Sequence, residues 1–280
     1  MVGRKPQTKG KKKKPLLASH QRSWLWGKNL VLETLASARW PVHDLYVAED
    51  LGADAAASEL AQAQALTPKL KATRSARTRL AELCGAPDHQ GYLARVGAYP
   101  YVTADALRSR ARTPSLFLIL DGVQDPYNLG AMLRSAEVFG VDGVFLGTQG
   151  CAGVNSLAAR ASAGAVNRLA IARVESLPDL IAELRRDAVR VVGTGLEADY
   201  ALDACDLGGP TALVIGNEGT GLSPTVRTAC NMLAKIPQDG GLNSLNAAAA
   251  AAVCLYEALR QRRQDVSVWG VTSISSRVMP

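Results

Sequence analysis

The segment IPQDGGLNSLNAAAAAAVCLYEAL, residues 236–259, carries most of the information about the fold. A short apolar strand ends at Ile236, a loop containing Gly240 and Gly241 follows, and a helix opens on the six alanines of 247–252. Glycine permits backbone conformations that a Cβ forbids, and such loops leave backbone N–H and C=O groups free for a ligand. The alanines allow another backbone to approach the helix closely. The segment predicts a ligand-binding loop beside a tightly packed helix, although capped, alanine-rich helices after glycine turns also occur without ligands.

Two earlier segments share this arrangement. LDGVQDPYNLGAMLRSAEVFGVDGVFLG (120–147) and ALVIGNEGTGLS (212–223) each place polar residues and glycines directly after an apolar strand. In α/β sheets, ligands bind at the carboxyl ends of strands. Three such strand ends therefore predict one crevice. No GxGxxG follows the first strand, so the sequence does not support an ordinary dinucleotide site.

The second half of the chain is predicted to be α/β. Its apolar runs are too continuous for strands with one solvent-exposed face, so we expect buried parallel strands with helices on both faces. The predicted strands are 116–120, 143–146, 191–195, 212–215 and 234–236, and the predicted helices are 129–139, 156–163, 177–187 and 225–231.

The first half predicts a smaller α/β sandwich, with helices at 26–35, 53–65 and 75–84 and strands at 44–47 and 92–96. Basic residues near its third helix form either a phosphate-contacting patch or ordinary solvated charges; they are Lys69, Lys71, Arg74, Arg77 and Arg79. His89 and Gln90, beside Gly91, are more typical of a turn than of a contact to a ligand.

The positive charge is concentrated at the N-terminus. The chain has 280 residues and a formal net charge of +7, but residues 1–32 hold nine of the 32 basic residues and no acid. The remainder has 23 basic and 25 acidic residues. We expect a disordered basic tail over 1–22 that adds salt-sensitive affinity for phosphates or only aids solubility.

Composition limits the class of protein. The length allows two modest domains, and 48% hydrophobic residues indicate a globular chain. No apolar run approaches the roughly 20 residues that span a bilayer. Five cysteines without a CxxC spacing suit neither a disulfide framework nor a zinc site, so no metal is predicted and a reducing cytoplasm is expected.

The three strand-end segments resemble the three motifs of the TrmH/SpoU class of the SPOUT superfamily, RNA 2′-O-ribose methyltransferases that use S-adenosylmethionine. The first motif places Asn128 six residues before Arg134, and the second is Asn217, Glu218 and Gly221 after a strand. The third is Ile-Pro, a glycine loop and Ser-Leu-Asn at 244–246. The resemblance covers 115 to about 262, and WGKNLVLETL and HQGYLARV extend it weakly over 24–100. The tail of the third motif departs from the family because it contains only alanine.

The resemblance implies a SPOUT-type parallel sheet with a C-terminal trefoil knot and a small N-terminal α/β RNA-binding domain. The expected divisions are the tail (1–22), the RNA-binding domain (23–98), a linker (99–114), the methyltransferase domain (115–264) and a C-terminal tail (265–280). The alanine run would fit the crowded passage of a knot.

The resemblance also implies the site residues. The cofactor-binding residues would be Gly195, Gly216, Ile236 and Leu245, and the catalytic ones Asn128, Arg134, Glu218, Ser244 and Asn246. Helix capping is the competing role for Asn128, Ser244 and Asn246. Glu218 is expected to hold Arg134 or a partner's backbone, and Arg134 to bind a phosphate or hydroxyl of the target nucleotide.

The expected function is methylation of a ribose 2′-OH in structured RNA, with large-subunit (23S) rRNA favoured because a separate N-terminal reader domain is typical of the rRNA-modifying branch. The partners expected are RNA and a second copy of the chain, without a membrane. The alternatives are a tRNA ribose methyltransferase and a catalytically silent RNA-binding relative acting in ribosome assembly. A nicotinamide-dependent enzyme lacks its phosphate loop here.

Overall fold

The computed structural model describes residues 23–52, 57–61, 70–241 and 244–268. Within the helix predicted at 53–65, residues 57–61 are helical, and the rest lies outside the described residues. The predicted basic tail, Lys69 and residues 269–280 also lie outside them.

The N-terminal unit is a four-stranded sheet with strand order β1-β4-β2-β3. Helix α1 and Leu60 of the helical residues 57–61 pack on one face, and α2 packs on the other. Strand β4 pairs antiparallel with β1 and β2, whereas β2 and β3 are parallel. The predicted first helix begins later than expected, because residues 24–26 form an edge strand instead. The elements are β1 (Trp24–Trp26), α1 (Lys28–Ser37), β2 (Val42–Ala48), β3 (Ala72–Ser75), α2 (Arg77–Cys84) and β4 (Tyr92–Val96).

The second unit is a seven-stranded sheet with order β7-β6-β5-β10-β8-β11-β9, in which every paired neighbour is parallel. The prediction of buried parallel strands is confirmed, since every residue of β5, β6 and β10 is buried. The sequence did not indicate β7, whose apolar run is broken by Arg173, or the two-residue β9. The strands are β5 (Leu116–Leu120), β6 (Gly143–Gly147), β7 (Ile171–Val174), β8 (Arg190–Thr194), β9 (Tyr200–Ala201), β10 (Thr211–Ile215) and β11 (Met232–Lys235).

Helices cover both faces of this sheet because successive strand residues point to opposite sides. Leu116, Leu118 and Leu120 face α4 (Pro126–Val138), α5 (Ser156–Ala161) and α8 (Ala247–Val268). Phe117 and Ile119 face α3 (Ala104–Ser109), α6 (Leu177–Arg186) and α7 (Pro224–Ala229). Helix α8 continues past residue 264, where the sequence predicted the tail to begin. None of the helices in the described ranges is long and apolar enough to cross a membrane.

The segment 99–114, predicted as a linker, packs against the sheet. Leu107 of α3 is 2% exposed, and its side chain fills the space where a Cβ on Gly143 would lie. The Tyr99 hydroxyl donates to the Val166 carbonyl at 2.6 Å. The prediction missed this packing because the segment has few large apolar residues. The packing depends instead on one leucine and on tyrosines, which bury their rings and pair their hydroxyls.

Polar contacts join the two units. The Ser156 hydroxyl donates to the Trp24 carbonyl, and both groups lie in buried residues. The Asn167 amide donates to the Thr34 hydroxyl at 3.0 Å, again with both residues buried. Buried hydrogen bonds are costly to break, so these contacts define how the units are placed against each other.

Helices α4 and α5 approach most closely at Gly130. A Cβ at this position would lie 2.5 Å from the Ala158 carbonyl oxygen and 2.5 Å from the Ala161 Cβ. Only glycine leaves room for this contact. Because α4 also carries Asn128 and Arg134, the contact helps to set the position of two predicted site residues.

We expect Gly130→Ala to lower the free energy of unfolding by about 1–3 kcal/mol, because the added methyl overpacks the contact between α4 and α5. Thermal unfolding followed by circular dichroism measures the change as a lower Tm. Gly52→Ala is the control, because no atom of the described residues lies within 4 Å of a Cβ there, and its effect should stay within about 0.5 kcal/mol. Equal Tm values for the two variants would contradict the close approach.

Candidate active site

The predicted cofactor-binding residues lie at the carboxyl edge of the larger sheet. Strands β10, β8 and β11 are direct neighbours, about 4.8 Å apart as sheet strands are. Gly216, Gly195 and Ile236 are the first residues after these three strands. The structure therefore brings three of the four predicted cofactor positions together on adjacent strand ends.

The turn after β10 depends on Gly216 and Asn217. A Cβ on Gly216 would lie 2.3 Å from the Gly221 carbonyl carbon, so this position excludes a side chain. The Asn217 and Gly221 backbones exchange hydrogen bonds of 2.9 and 3.0 Å. The Asn217 side-chain amide then donates to the Gly122 carbonyl at 2.7 Å, which ties this turn to the loop after β5.

Three of the five predicted catalytic residues form one hydrogen-bonded network. The Asn128 Nδ2 donates to the Glu218 Oε1 at 2.9 Å. The Asn246 Nδ2 donates to the Asn128 Oδ1 at 3.1 Å. Residues from all three sequence motifs, separated by up to 118 positions, therefore meet beside the strand ends.

The sequence left helix capping open for Asn128, Ser244 and Asn246, and the structure gives this role to Asn246 alone among them. Asp125 is the N-cap of α4 and its carboxylate accepts from the Tyr127 N–H at 3.0 Å, so the helix starts three residues earlier than predicted. Asn128 is therefore not a cap. Asn246 caps α8, because its Oδ1 accepts from the Ala248 N–H at 2.8 Å. Ser244 is exposed and forms no hydrogen bond to the described part of the chain.

Arg134 lies apart from this network. Six residues along a helix correspond to about 9 Å of rise and place two side chains about 120° apart around the axis. Arg134 is exposed and forms no hydrogen bond or ion pair with any residue in the described ranges. Within the described residues Glu218 binds Asn128 and not Arg134, and the other expected role of Glu218, a contact to a partner's backbone, stays a prediction.

The surface around the strand ends is open and partly apolar. No atom of the described residues lies within 4 Å of a Cβ built on Gly195, and Leu245 is 44% exposed. Ile236, the residue directly after β11, is half-buried. A flat apolar ring with polar edges, such as the adenine implied by the resemblance, suits a site with exposed aliphatic groups and nearby backbone amides.

Two residues of the site were missed by the sequence prediction. The Asp121 carboxylate accepts from the Ser223 N–H at 2.7 Å, which joins the end of β5 to the start of α7. The Cys151 Sγ accepts from the Gly122 N–H at 3.1 Å, and burial raises the pKa of this thiol. The position of Asp121 directly after a strand was a usable signal. Nothing in the sequence indicated Cys151.

The three arginines of the predicted basic patch are engaged within the chain, whereas Lys71 is exposed. Arg77 forms an ion pair with Asp50 at 2.6 Å, and Arg79 forms one with Glu82 at 3.0 Å. Arg74 donates to the Leu51 carbonyl at 2.8 Å. These contacts favour ordinary surface charges over a dedicated phosphate-contacting patch.

His89 and Gln90 order a turn. His89 is 2% exposed, and its Nδ1 accepts from the Gly91 N–H at 3.0 Å. The Gln90 Oε1 accepts from the Lys28 N–H at 2.9 Å, at the start of α1. The structure therefore agrees with the turn interpretation of this pair.

Comparison with known families matches both units. Residues 115–256 match the model described as the SpoU rRNA Methylase family. Residues 24–102 match the model described as RNA 2′-O ribose methyltransferase substrate binding. Together these two matches include the whole of both sheets.

Individual relatives agree with these matches. The chain is 37% identical over 241 residues to the 23S rRNA (guanosine-2′-O-)-methyltransferase RlmB of Coxiella burnetii, covering 85% of this chain and 95% of that protein. It is 31% identical to the SpoU methyltransferase AviRb from Streptomyces viridochromogenes in complex with AdoMet, with a TM-score of 0.71 and coverage of 86% of this chain and 90% of that one. The Aquifex aeolicus TrmH/SpoU tRNA modifying enzyme is 27% identical with a TM-score of 0.51, and covers 58% of this chain and 83% of that one.

Motifs, fold and relatives thus lead to one assignment, which confirms the resemblance found in the sequence. This chain belongs to the SpoU rRNA methylase family.

Proposed function

We propose that this protein transfers a methyl group from S-adenosylmethionine to a ribose 2′-OH of large-subunit (23S) rRNA. The observation that carries the proposal is the network of Asn128, Glu218 and Asn246, which joins the three family motifs beside the strand ends. The 23S rRNA methyltransferase of Coxiella burnetii and the AdoMet-bound AviRb, both similar over most of this chain, support the substrate and the methyl donor.

The strand ends form the proposed cofactor site. Gly195, Gly216, Ile236 and Leu245 would hold the adenosine through backbone groups and apolar contact. When bound, S-adenosylmethionine supplies an electrophilic methyl group on its sulfonium. The work of the protein is then to hold this donor and the ribose in line, which supplies roughly 7–11 kcal/mol of the barrier reduction.

Asn128 is the proposed contact to the target nucleotide. Its amide donates one N–H to Glu218 and accepts from Asn246, so both ends of the group are held. The second N–H of Asn128 is left to face the ribose. Glu218 and Asn246 act as positioning residues, and the exposed Ser244 hydroxyl supplies a further polar group at the entrance of the site.

Arg134 is the proposed anchor for a phosphate or hydroxyl of the target nucleotide. A guanidinium stays protonated at neutral pH, which makes it a poor base. Its planar fork instead matches phosphate geometry. Its exposure and its lack of a partner within the described residues leave it available for this role.

Large-subunit rRNA is preferred to tRNA because of the N-terminal unit. Residues 24–102 match a substrate-binding model for RNA 2′-O ribose methyltransferases. The Aquifex aeolicus tRNA modifying enzyme matches only 58% of this chain while 83% of its own length is covered. A reader unit added to the methylase unit supports an rRNA substrate. An rRNA substrate in turn supports the expected cytoplasmic location, where the five free cysteines would stay reduced.

Exposed apolar residues on α4 and α8 support a homodimer. Val138, Tyr256 and Val253 are 63%, 56% and 40% exposed, and the rings of Phe139 and Tyr256 lie 6.1 Å apart. Arg134 is four residues before Val138 and so shares its side of α4. A second copy packed on these helices would lie beside Arg134, next to the proposed site.

The order of the strands supports the proposed trefoil knot. Strand β11 lies between β8 and β9, although β8 and β9 are consecutive along the chain. The chain then continues into α8, where Ala248 and Ala251 are buried. The end of α8 is bonded to the connection before β10, through Arg262 Nη2 to the Gly209 carbonyl at 2.7 Å. Small alanine side chains suit such a crowded passage.

Calorimetric titration with S-adenosylmethionine and a methyl-transfer assay test the site. Arg134→Ala should bind S-adenosylmethionine like the wild type but transfer methyl groups about 100-fold more slowly, because the nucleotide is misplaced. Arg110→Ala, which changes an exposed arginine directly after α3, is the control and should keep wild-type activity. Wild-type activity in Arg134→Ala would contradict the role of Arg134 as an anchor. If the folded wild type does not bind S-adenosylmethionine, the catalytically silent relative is favoured.

Mapping 2′-O-methyl marks in cells with and without the gene tests the substrate. We expect a mark to disappear from 23S rRNA when the gene is deleted and to return with the wild-type gene. Reintroduction of the Arg134→Ala gene is the control and should leave the mark missing. Loss of a mark in tRNA alone would overturn the preference for rRNA.

Val138→Asp tests the homodimer by analytical ultracentrifugation. An unpaired charge buried in an interface costs several kcal/mol, so the dimer dissociation constant should rise at least about 100-fold. Leu196→Asp is the control, because Leu196 is 57% exposed and belongs to neither α4 nor α8. A monomeric wild type, or equal dimerisation of both variants, would contradict the proposed interface.

A further inference from the structure

A cavity lies between the N-terminal unit and the methylase unit, outside the proposed cofactor site. Its volume is about 490 Å³, within the range of about 300–1,000 Å³ typical of ligand pockets. The N-terminal unit contributes Trp26, Ala86 and Asp88, and α4 and α5 contribute Tyr127, Leu157, Arg160 and Ala161. Both units are needed to form it.

The polar wall of the cavity is built from three linked side chains. The Asp88 carboxylate accepts from the Trp26 Nε1 at 3.1 Å and from the Arg160 Nη2 at 2.7 Å. The Arg160 guanidinium carbon lies 5.0 Å from the centroid of the Trp26 ring. The hydrogen bond from Arg160 lowers the pKa of Asp88, which keeps this carboxylate ionised. The wall therefore presents fixed donors and a fixed acceptor next to each other.

An exposed aromatic residue also lines the cavity. Tyr127 is 53% exposed on the first turn of α4, and its side chain lines the cavity. Its backbone N–H donates to Asp125, and its hydroxyl has no hydrogen-bond partner among the described residues. An exposed tyrosine ring offers a flat apolar face at little cost in side-chain entropy. It directly precedes Asn128, the proposed contact to the target ribose.

We infer that this cavity binds an unstacked nucleobase of the substrate RNA, from a nucleotide next to the methylated one. The base stacks on the Tyr127 ring and presents its edge to Arg160 and Asp88. Nucleobase edges carry donors and acceptors side by side, and single-stranded RNA is recognised by stacking on aromatic rings together with hydrogen bonds to these edges. The inference rests on the proposed function, because it requires RNA beside Asn128.

The position of the cavity links RNA binding to the contact between the two units. A nucleotide in the cavity touches both units at once, so RNA binding depends on the arrangement set by the Arg160–Asp88 ion pair and the contact of Ser156 with Trp24. The neighbouring nucleotide is then directed to Asn128. The cavity thus acts on which ribose is presented, and not on the methyl donor.

The test measures methyl transfer from labelled S-adenosylmethionine to large-subunit rRNA isolated from cells that lack the gene. Tyr127→Ala should raise the KM for this rRNA by about 5-fold to 150-fold, the loss expected for one stacked base. Tyr127→Phe keeps the ring and should stay within about 2-fold of the wild type. The dissociation constant for S-adenosylmethionine, from calorimetry, should be unchanged in both variants.

Tyr200→Ala is the matched control, because Tyr200 is also 53% exposed but lies on the edge strand β9. Its KM for the rRNA should equal that of the wild type. If Tyr127→Ala melts at the wild-type Tm and keeps the wild-type KM while the wild type is active, the inference about the cavity is overturned and the proposed function stands. If the wild type methylates no rRNA, the proposed function itself fails.

Discussion

The pairing of β11 with β8 is the constraint on which the site depends. Parallel registry of Leu233 with Gly193 and of Ala234 with Thr194 places the end of β11 beside the ends of β8 and β10. Without this pairing, the loop of residues 236–246 would start elsewhere and Asn246 would not reach Asn128. Because β11 lies between β8 and β9, the same pairing also separates these two consecutive strands. The proposed cofactor site and the proposed knot therefore have one structural cause.

Asn246 shows how one side chain couples helix formation to the site. Its Oδ1 caps α8 and its Nδ2 donates to Asn128, so the two ends of a single amide serve both purposes. A Ser or Asp at this position would also cap a helix, but neither has an N–H to give to Asn128. The sequence presented capping and site chemistry as competing roles for this residue, and the structure makes them compatible.

The contact between the two units shapes how RNA would be presented. Buried hydrogen bonds at Ser156 and Asn167, with the ion pair between Arg160 and Asp88, hold the substrate-binding unit in one position on the methylase unit. Arg77 and Arg79 of helix α2, in contrast, are engaged in local ion pairs. Specificity for the RNA is therefore better sought at the junction of the units than in a charged face.

The sequence by itself determined the family, the parallel sheet and its strand ends, because buried parallel strands appear as continuous apolar runs and the motif residues directly follow them. It missed β1, β3, β7 and β9, which are short or interrupted and are stabilised by pairing with distant strands. Only the tertiary structure decided that Glu218 binds Asn128 and not Arg134, and that the segment 99–114 packs on the sheet. The order of the strands and the rotation of the helices bring residues about 90 or more positions apart within hydrogen-bond distance. Both depend on long-range packing, which no local sequence pattern encodes.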